Sequence, residues 1–258
     1  MIRKCVEADG EKLMEYLYRD ACINLFFIGD IHNFGFDSDF QHVFMDVEDE
    51  EIKAVYLIYR DNMCLQSYCG SYDKEFVREL IREYGVRDIS GEQSLVEKYG
   101  FEEMGKCVYC HFACMKEPCG ISGDGLVERL TIEDAEDIAE LSDQVFGRKP
   151  SRDGIRDNIE GGSGRYYGIK KDGKLVALAG STAECEGLAM VVGVGTDENN
   201  RSRGYATKVV GRLSDDLLKE GKLPCLFYEN PAAARIYKKI GYRDIGNWMM
   251  IRVKEERL

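Results

Sequence analysis

The chain has 258 residues, 44% hydrophobic and 32% charged, a composition that allows two cores of ordinary domain size. Its formal net charge of −12 argues against a surface built for nucleic acid or anionic lipid. No apolar run approaches the ~20 residues that span a bilayer, so no membrane partner is expected. The N-terminal segment, MIRKC, fits a strand rather than a signal peptide, which predicts a cytoplasmic protein with ten reduced cysteines.

Hydrophobic periodicity predicts alternating strands and helices along the whole chain. In the first half the predicted strands are 2–6, 44–47, 53–59, 63–69, 86–89 and 106–115, and the predicted helices are 9–17, 76–84 and 92–99. In the second half the predicted strands are 166–170, 175–183, 188–194, 225–228 and a final pair within 242–253, with a short helix at 153–159.

Two further helices of the second half are predicted from the residues at their ends. One opens near Gly204 and is ended by Gly221 and Pro224. The other begins with Asn230 as N-cap and Pro231 as its first residue, because an asparagine oxygen can accept a helix N–H and proline needs no N–H there.

The composition of KEPCGISGDG, residues 116–125, is typical of a linker. We therefore expect a domain at 1–115, a linker at 116–125 and a second domain at 126–258. Segment 127–141 repeats the pattern of 2–16, with Asp134 equivalent to Asp9, and KIGY at 239–242 repeats KYGF at 98–101. Any β–α start and any helix ending in glycine and an aromatic residue would match as well, but agreement at both ends in the same order favours duplication.

Residues 188–207, LAMVVGVGTDENNRSRGYAT, combine a predicted strand, a polar loop and the start of a helix. The first N–H groups of a helix lack internal partners, and the helix dipole adds partial positive charge there. Gly204 would let the backbone approach a ligand closely, because it has no Cβ. This stretch is therefore predicted to bind an anionic group such as a pyrophosphate.

Arg201, Gly204 and Ala206 form an R-x-x-G-x-A motif, and NPAAARIYKKIGY follows at 230–242. Together they resemble the GNAT family of acyl-CoA-dependent N-acyltransferases; no P-loop lysine pattern or paired-glycine Rossmann fingerprint competes for this loop. The resemblance is specific over 188–242 and fits the order of elements from residue 126 onward. It implies an α/β (α+β) fold with two GNAT-like domains, each a mixed, mostly antiparallel sheet flanked by helices.

The resemblance implies acetyl-CoA as cosubstrate and transfer of its acetyl group, by direct attack, to a small-molecule or peptide amine. The pantetheine arm would lie between the strand ending at Val194 and the strand at Leu226. The implied cofactor-binding residues are Val192, Val194, Arg201, Ser202, Arg203, Gly204, Tyr205, Ala206, Thr207 and Asn230. Arg201, Arg203 and Lys208 could supply charge at the phosphates or could be solvated helix-face residues.

Tyr237 stands where the family carries the tyrosine that protonates the leaving thiolate, and it is our candidate catalytic residue; otherwise it is a packed aromatic beside Ile236 and Ile240. The general base stays unassigned. The histidines, His32, His42 and His111, all lie in the first half. The nearby carboxylates Glu184, Glu186 and Glu229 could act through water or could be turn or surface residues.

The first half lacks the cofactor motif at its corresponding junction, 69–74, and is interpreted as a degenerate copy that no longer binds CoA. The cysteines of 107–119 could hold a metal, but the segment also fits a buried strand, and we predict no metal site. Two other functions stay open: a non-catalytic acyl-CoA sensor or interaction module, and a cysteine-based metal or redox protein. The acceptor and the oligomeric state are not predicted.

Overall fold

The computed structural model describes residues 1–100, 104–120 and 125–254. It divides into two compact units. The first unit contains Met1–Phe112 and Ile245–Leu258, and the second unit contains Ala113–Asp244. Phe101 of the repeated KYGF and residues 121–124 of the predicted linker lie outside the described residues.

The helices and strands largely follow the order that the sequence predicts, with the helix Leu25–Phe34 and the two-residue strand Asp37–Ser38 in addition. The first are β1 Ile2–Lys4, α1 Gly10–Leu17, α2 Leu25–Phe34, β2 Asp37–Ser38, β3 Gln41–Glu48, β4 Glu51–Tyr59, β5 Asn62–Gln66, α3 Lys74–Tyr84, β6 Asp88–Glu92, α4 Gln93–Val96 and β7 Met104–Cys114. They are followed by β8 Glu128–Leu130, α5 Ala135–Phe146, α6 Arg152–Glu160, β9 Tyr166–Lys171, β10 Lys174–Cys185, β11 Leu188–Thr196, α7 Tyr205–Lys219, β12 Leu223–Tyr228, α8 Pro231–Ile240 and β13 Arg243–Val253.

The first unit is a mixed sheet with the strand order β1-β3-β4-β5-β6-β13. Its pairs are antiparallel except β5 with β6, which are parallel from Asn62↔Asp88 to Leu65↔Gly91. Helix α3 covers one face of this sheet with Val77, Leu80 and Ile81, at helical spacing. The single tryptophan, Trp248, is buried in this unit and packs edge-on against Phe112 at 5.8 Å between ring centroids.

The second unit is a mixed sheet with the strand order β12-β11-β10-β9-β8, antiparallel except for the parallel pair β11 with β12. One face packs against α7 and α8, whose buried residues include Val209, Leu213 and Leu217. The other face packs against α5 and α6 through residues such as Ile138 and Ile155. The sheet therefore lies between two helical layers, which leaves its strand ends as the exposed places where a site can form.

The two sequence repeats give the same order of main elements, β-α-α-β-β-β-α-β-α-β, apart from the two-residue strand β2. The predicted equivalence of Asp9 and Asp134 is visible in their hydrogen bonds. The carboxylate of Asp9 accepts from the N–H of Val6 at 2.9 Å, and that of Asp134 accepts from the N–H of Thr131 at 2.8 Å. The chain therefore has the tandem arrangement that the repeats predict.

Two local predictions are wrong. Residues 242–253 do not form a strand pair but one strand, β13, which pairs with β6 from Trp248↔Glu92 to Arg252↔Asp88. Pro224 does not end α7; it lies buried inside β12. Proline lacks only the donor, and its carbonyl accepts from the N–H of Met115 at 3.1 Å, so the strand tolerates it.

Candidate functional site

Strands β11 and β12 pair over only part of their length. Their parallel register runs from Leu188↔Leu223 to Val191↔Leu226, whereas β11 continues to Thr196 and β12 to Tyr228. Within the described residues no pairing of these two strands is recorded beyond that point. The second unit therefore has an opening between two parallel strands at their carboxyl ends.

A β-bulge in β11 lies at this opening. Leu178 faces Gly195 and Gly180 faces Val192, so Gly193 and Val194 together oppose a single residue of β10. Gly193 has φ 59°, the left-handed conformation that glycine adopts without steric cost. The bulge interrupts the ladder where Val192 and Val194 become half-buried, the two positions predicted to meet a pantetheine arm.

The loop after β11 is held by its own polar groups. The carboxylate of Asp197 accepts from the N–H of Asn199 at 3.1 Å and from the side-chain amide of Asn200 at 2.8 Å. The guanidinium of Arg201 donates to the carbonyl of Thr196 at 3.4 Å. Ser202 has φ 63°, a left-handed conformation that is rare for residues with a side chain and is common at ligand-binding loops.

Helix α7 begins without a side-chain cap. Its N-cap, Gly204, has φ 77°, and the first bond within the helix is from the N–H of Lys208 to the carbonyl of Gly204, at 3.1 Å. The N–H groups of the preceding three residues, 205–207, therefore have no partner inside the helix. A Cβ on Gly204 would point into open space. The exposed side chains of Arg201 and Arg203 add positive charge, so this helix end fits an anionic group.

Asn230 has the predicted capping role at α8. Its side-chain oxygen accepts from the N–H of Ala232 at 2.8 Å, and Pro231 is the first helical residue. The residue is exposed at the end of β12, beside the opening between the strands. Because the oxygen is used by the helix, its amide nitrogen is the group that can donate to a ligand.

Tyr237 is buried, with 7% of its surface exposed, and belongs to the core of the second unit. Its ring lies 5.9 Å from that of Tyr228 and 5.9 Å from that of Tyr242, measured between centroids. Burial alone raises the pKa of Tyr237 to about 12. The packed-aromatic interpretation is thus correct as a description of its surroundings, and it is compatible with a phenol that keeps its proton.

Glu184, one of the three carboxylates considered as a base, is neither a surface nor a turn residue: it is buried. A bulge in β10, with Ala183 at φ 50°, directs it into the sheet, where Arg165 donates two hydrogen bonds to it, at 2.9 and 2.7 Å. Lys222 donates to it at 2.7 Å. Burial opposes ionisation, but these donors outweigh it and hold the pKa of Glu184 below its usual range. A carboxylate so engaged is a poor general base.

The corresponding helix of the first unit, α3, has a different N-terminus. Its N-cap is Asp73, whose carboxylate accepts from the N–H groups of Glu75 and Phe76 at 2.9 and 3.1 Å. Glu75 adds a second negative charge in the first turn. The positions that a phosphate would occupy are therefore taken by a carboxylate of the chain itself.

The first unit also lacks the opening between its parallel strands. Strand β5 ends one residue after its pairing with β6. A Cβ on Gly91 would lie 2.9 Å from the carbonyl oxygen of Leu65 and 2.9 Å from the side chain of Val96. The backbone of β6 is thus packed closely where β12 leaves a gap.

The segment that invited a metal interpretation is strand β7. Cys107 and Cys110 stand three positions apart, and because side chains alternate along a strand they point to opposite faces. Cys110 is buried, and Cys107 packs against the core of the first unit. Among the described residues no group of three or more histidine, cysteine, aspartate or glutamate side chains is arranged to hold a metal ion.

Sequence inspection did not single out three residues around Tyr237. The hydroxyl of Tyr228 donates to Asp244 at 2.5 Å, and Lys238 lies 3.0 Å from the same carboxylate. Their sequence signal is weak because a lysine, an aspartate and a tyrosine are common on any surface. Gly193 carried a usable signal, since a glycine inside a strand often marks a bulge.

In the parts of the chain that the structure describes, no helix is both long and apolar enough to cross a lipid bilayer.

The second unit thus combines a mixed sheet whose parallel strands diverge, an uncapped helix N-terminus beside them and a tyrosine on the following helix. Comparison with known proteins indicates the class of protein that carries this arrangement. Residues 158–251 match the family described as GNAT acetyltransferase. None of the curated proteins matches this chain.

Several solved structures share the fold. A GCN5-related N-acetyltransferase from Sphaerobacter thermophilus is 16% identical with a TM-score of 0.65, covering 98% of this chain and 94% of that one. A GNAT-family acetyltransferase from Colwellia psychrerythraea is 14% identical with a TM-score of 0.59, covering 98% and 100%. A tandem GNAT protein from the clavulanic acid biosynthesis pathway is 10% identical with a TM-score of 0.61, covering 97% of each chain.

At these identities the structural likeness shows the fold alone, and the family match adds the class of activity. Residues 158–251 therefore match a GNAT acetyltransferase, which supports acyltransferase activity, and the chain as a whole has the fold of tandem GNAT proteins.

Proposed function

We propose that the protein is an acetyl-CoA-dependent N-acetyltransferase that transfers an acetyl group to an amine acceptor by direct attack. The observation that carries this proposal is the opening between β11 and β12 beside the uncapped N-terminus of α7. A thioester arm can enter the opening while its pyrophosphate meets the helix end. We place this activity in the second of the two sequence domains, 126–258, and the protein in the cytoplasm, where its thiols stay reduced.

The proposed contacts use groups at the opening between β11 and β12 and at the start of α7. The backbone of Val192 and Val194, at the bulge, would pair with the pantetheine amides. The backbone N–H groups of 202–207 would hold the pyrophosphate, with the guanidinium groups of Arg201 and Arg203 adding charge; the N–H of Arg201 itself donates to the carbonyl of Glu198 at 3.4 Å. The amide nitrogen of Asn230 would donate to the arm.

Acetyl-CoA supplies the activated acetyl group and, as the carbon–sulfur bond breaks, a thiolate leaving group. Tyr237 would give its phenolic proton to that sulfur, while the amine nitrogen forms the new bond to the acetyl carbon and loses a proton to solvent. The N–H near Val194 would donate to the carbonyl oxygen as negative charge develops on it. Tyr237 suits its role because a phenol is protonated at neutral pH, and burial, which raises the pKa of Tyr237 to about 12, extends this to alkaline pH.

The substitution Gly204→Glu tests the cofactor site. It places a carboxylate in the open space at the end of α7, where it would repel the pyrophosphate and accept the same N–H groups. We expect acetyl-CoA affinity, measured by isothermal titration calorimetry, to fall by about 100-fold or more.

A matched control lies just beyond the other end of the same helix. Gly221 has φ 78°, against 77° at Gly204, and its Cβ would also point into open space. Gly221→Glu therefore introduces the same backbone strain and charge, and it should leave acetyl-CoA affinity unchanged. Equal affinity in both variants would refute the placement of the cofactor.

A second function, an acyl-CoA sensor without catalysis, is favoured by one observation: Glu184 is held in ion pairs and is not available as a base. The two functions differ in whether thiol is released from acetyl-CoA in the presence of amines. Release above the buffer rate with any member of a panel of alkylamines, amino acids and peptides supports catalysis. Tight binding without release from the whole panel supports the sensor.

A further inference from the structure

Three tyrosines form a continuous stack in the second unit. The rings of Tyr228 on β12, Tyr237 on α8 and Tyr242 after α8 follow each other at 5.9 Å between centroids, with interplanar angles of 50° and 62°. All three are buried, with 6%, 7% and 0% of their surface exposed. Tilted and edge-on arrangements of this kind are the favoured ones for aromatic pairs, so each ring restricts the next.

The outer two tyrosines are fixed through their hydroxyls. Tyr228 donates to the carboxylate of Asp244 at 2.5 Å. The hydroxyl of Tyr242 lies 2.8 Å from that of Ser214, which itself donates to the carbonyl of Val210 at 2.7 Å. Tyr242 therefore donates to Ser214. Within residues 1–100, 104–120 and 125–254, the hydroxyl of Tyr237 has no recorded hydrogen bond.

The carboxylate that fixes Tyr228 also holds α8. Lys238, the residue after Tyr237, lies 3.0 Å from Asp244, and its ammonium group lies 5.9 Å from the centroid of the Tyr228 ring. One carboxylate thus receives a hydrogen bond from β12 and an ion pair from α8. We name Tyr228, Asp244 and Lys238 the Asp244 latch.

We propose that Tyr228 is a positioning residue, which through the Asp244 latch and its ring contact fixes the direction of the Tyr237 hydroxyl. The inference rests on the proposed role of Tyr237 as the acid. It explains why the middle tyrosine of the stack differs from its neighbours: its ring is held from both sides while its hydroxyl is left for a group outside the chain.

Tyr228 itself is not a proton donor to the substrate. Burial and the hydrogen bond to Asp244 raise the pKa of Tyr228, since a phenol that donates to a carboxylate is stabilised in its neutral form. Its proton is therefore committed to Asp244. Its influence on the reaction passes through the ring of Tyr237, and a misplacement of about 1 Å at an acid can cost up to about 100-fold in rate.

The substitution Tyr228→Phe tests the inference, because it removes the hydroxyl and keeps the ring. We expect kcat to fall about 10-fold with KM for acetyl-CoA unchanged, since the cofactor contacts are not touched. In a Tyr237→Phe background the same substitution should cause no further loss, because the hydroxyl being positioned is gone.

Tyr167→Phe is the matched control. Tyr167 is also a buried tyrosine of the second unit whose hydroxyl donates to an ion-paired carboxylate, that of Asp216, at 2.9 Å. It does not belong to the stack, so kcat should stay at the wild-type value. A fall equal to that of Tyr228→Phe would mean that loss of any buried hydroxyl is enough, and would overturn the inference.

A spectroscopic measurement does not depend on turnover. In protein labelled with carbon-13 at the tyrosine Cζ, the Tyr237 resonance is assigned by its loss in Tyr237→Phe. We expect one sharp resonance in the wild type and in Tyr167→Phe, and a broadened or split one in Tyr228→Phe. An unchanged resonance in Tyr228→Phe overturns the inference.

The kinetic results separate this inference from the proposed function. Wild-type kcat in Tyr237→Phe would refute the acid role and the inference together. A strong loss in Tyr237→Phe with wild-type kcat in Tyr228→Phe would refute the positioning role alone.

Discussion

At the scale of single residues, the acid strength of Tyr237 decides which chemistry it can perform. Burial raises its pKa to about 12, so as an acid it is weaker than a solvated phenol. The same chain shows what burial does to a thiol: the pKa of Cys64 is also raised to about 12, by burial first. A thiolate formed in a dry site beside Tyr237 would gain basicity in the same way, so the proton transfer stays close to balanced.

This pKa predicts the pH dependence of the reaction. Tyr237 is protonated, and therefore competent, at every pH below about 12. An alkylamine of pKa ~10 is mostly protonated at neutral pH and becomes nucleophilic as pH rises. We therefore expect kcat/KM to rise between about pH 6 and 10 without an alkaline decline, as measured by thiol release.

The variant Tyr237→Phe should lower kcat throughout that range and keep the rising shape, because the amine alone sets it. A decline above pH 8 in the wild type that disappears in Tyr237→Phe would instead show that Tyr237 titrates there. That outcome would contradict a strongly raised pKa.

At the scale of the elements, the two copies differ most at one helix end. Helix α3 is capped by the carboxylate of Asp73, whereas α7 is capped by Gly204, which has no side chain. Both caps satisfy the local geometry of a helix start, but only the second leaves its N–H groups to a ligand. The identity of the N-cap residue thus distinguishes a helix capped by its own side chain from a helix that can bind an anion.

The capping difference predicts the binding stoichiometry. We expect one acetyl-CoA per chain by calorimetric titration, because of the two corresponding helices α3 and α7 it is α7 that starts without a side-chain cap. Asp73→Gly removes the carboxylate that caps α3 but opens no gap between β5 and β6, so the stoichiometry should stay at one. Because glycine is also tolerated as an N-cap, the substitution should lower the free energy of unfolding by only a few tenths of a kcal/mol. Two molecules bound per chain, in either protein, would contradict the assignment of the first copy as inactive.

At the scale of the whole molecule, a buried cluster of ion pairs contributes to the stability of the second unit. Arg165 is paired with Glu184 at 2.7 Å and with Glu220 at 2.5 Å, and Lys222 lies 2.7 Å from Glu184. The cluster joins the start of β9, the end of β10 and the end of α7. Breaking a buried pair by removing one partner typically costs about 3–5 kcal/mol, because the other charge is left without compensation.

Glu184→Gln should therefore lower the free energy of unfolding at pH 7 by about 3 kcal/mol, measured by urea denaturation. The pKa of Glu184 is lowered in the folded state, so its contribution is present above its unfolded pKa of ~4.3 and is lost as pH falls through the lower folded value. The difference between variant and wild type should shrink below about pH 4.

Glu186→Gln is the control, since Glu186 is exposed two residues along the chain. It should change the free energy of unfolding by less than about 0.5 kcal/mol, both at pH 7 and below about pH 4. Equal losses in the two variants would mean that the cluster does not stabilise the fold.

Much of the local structure was predictable because its signals lie within a few residues. The helix caps at Asn230 and Gly204 involve groups no more than four positions apart. The same is true of the backbone hydrogen bonds that Asp9 and Asp134 accept, which make these two residues equivalent. The wrong assignments at Pro224 and within 242–253 depend instead on distant partners. Pro224 is accommodated by Met115, and β13 stays extended because β6 pairs with it.

The sequence by itself determined most of the order of elements, the repeat and the strand–loop–helix at 188–207, since each follows from periodicity or from a short motif, while the candidate tyrosine followed from the family resemblance. Only the tertiary structure decided that β13 from Ile245 onward belongs to the compact unit of the first half, that β11 and β12 separate after Val191, and that Glu184 is ion-paired. It also decided that Tyr237 lies between two anchored rings. These features arise from register and packing between residues far apart in the chain, where no local preference acts.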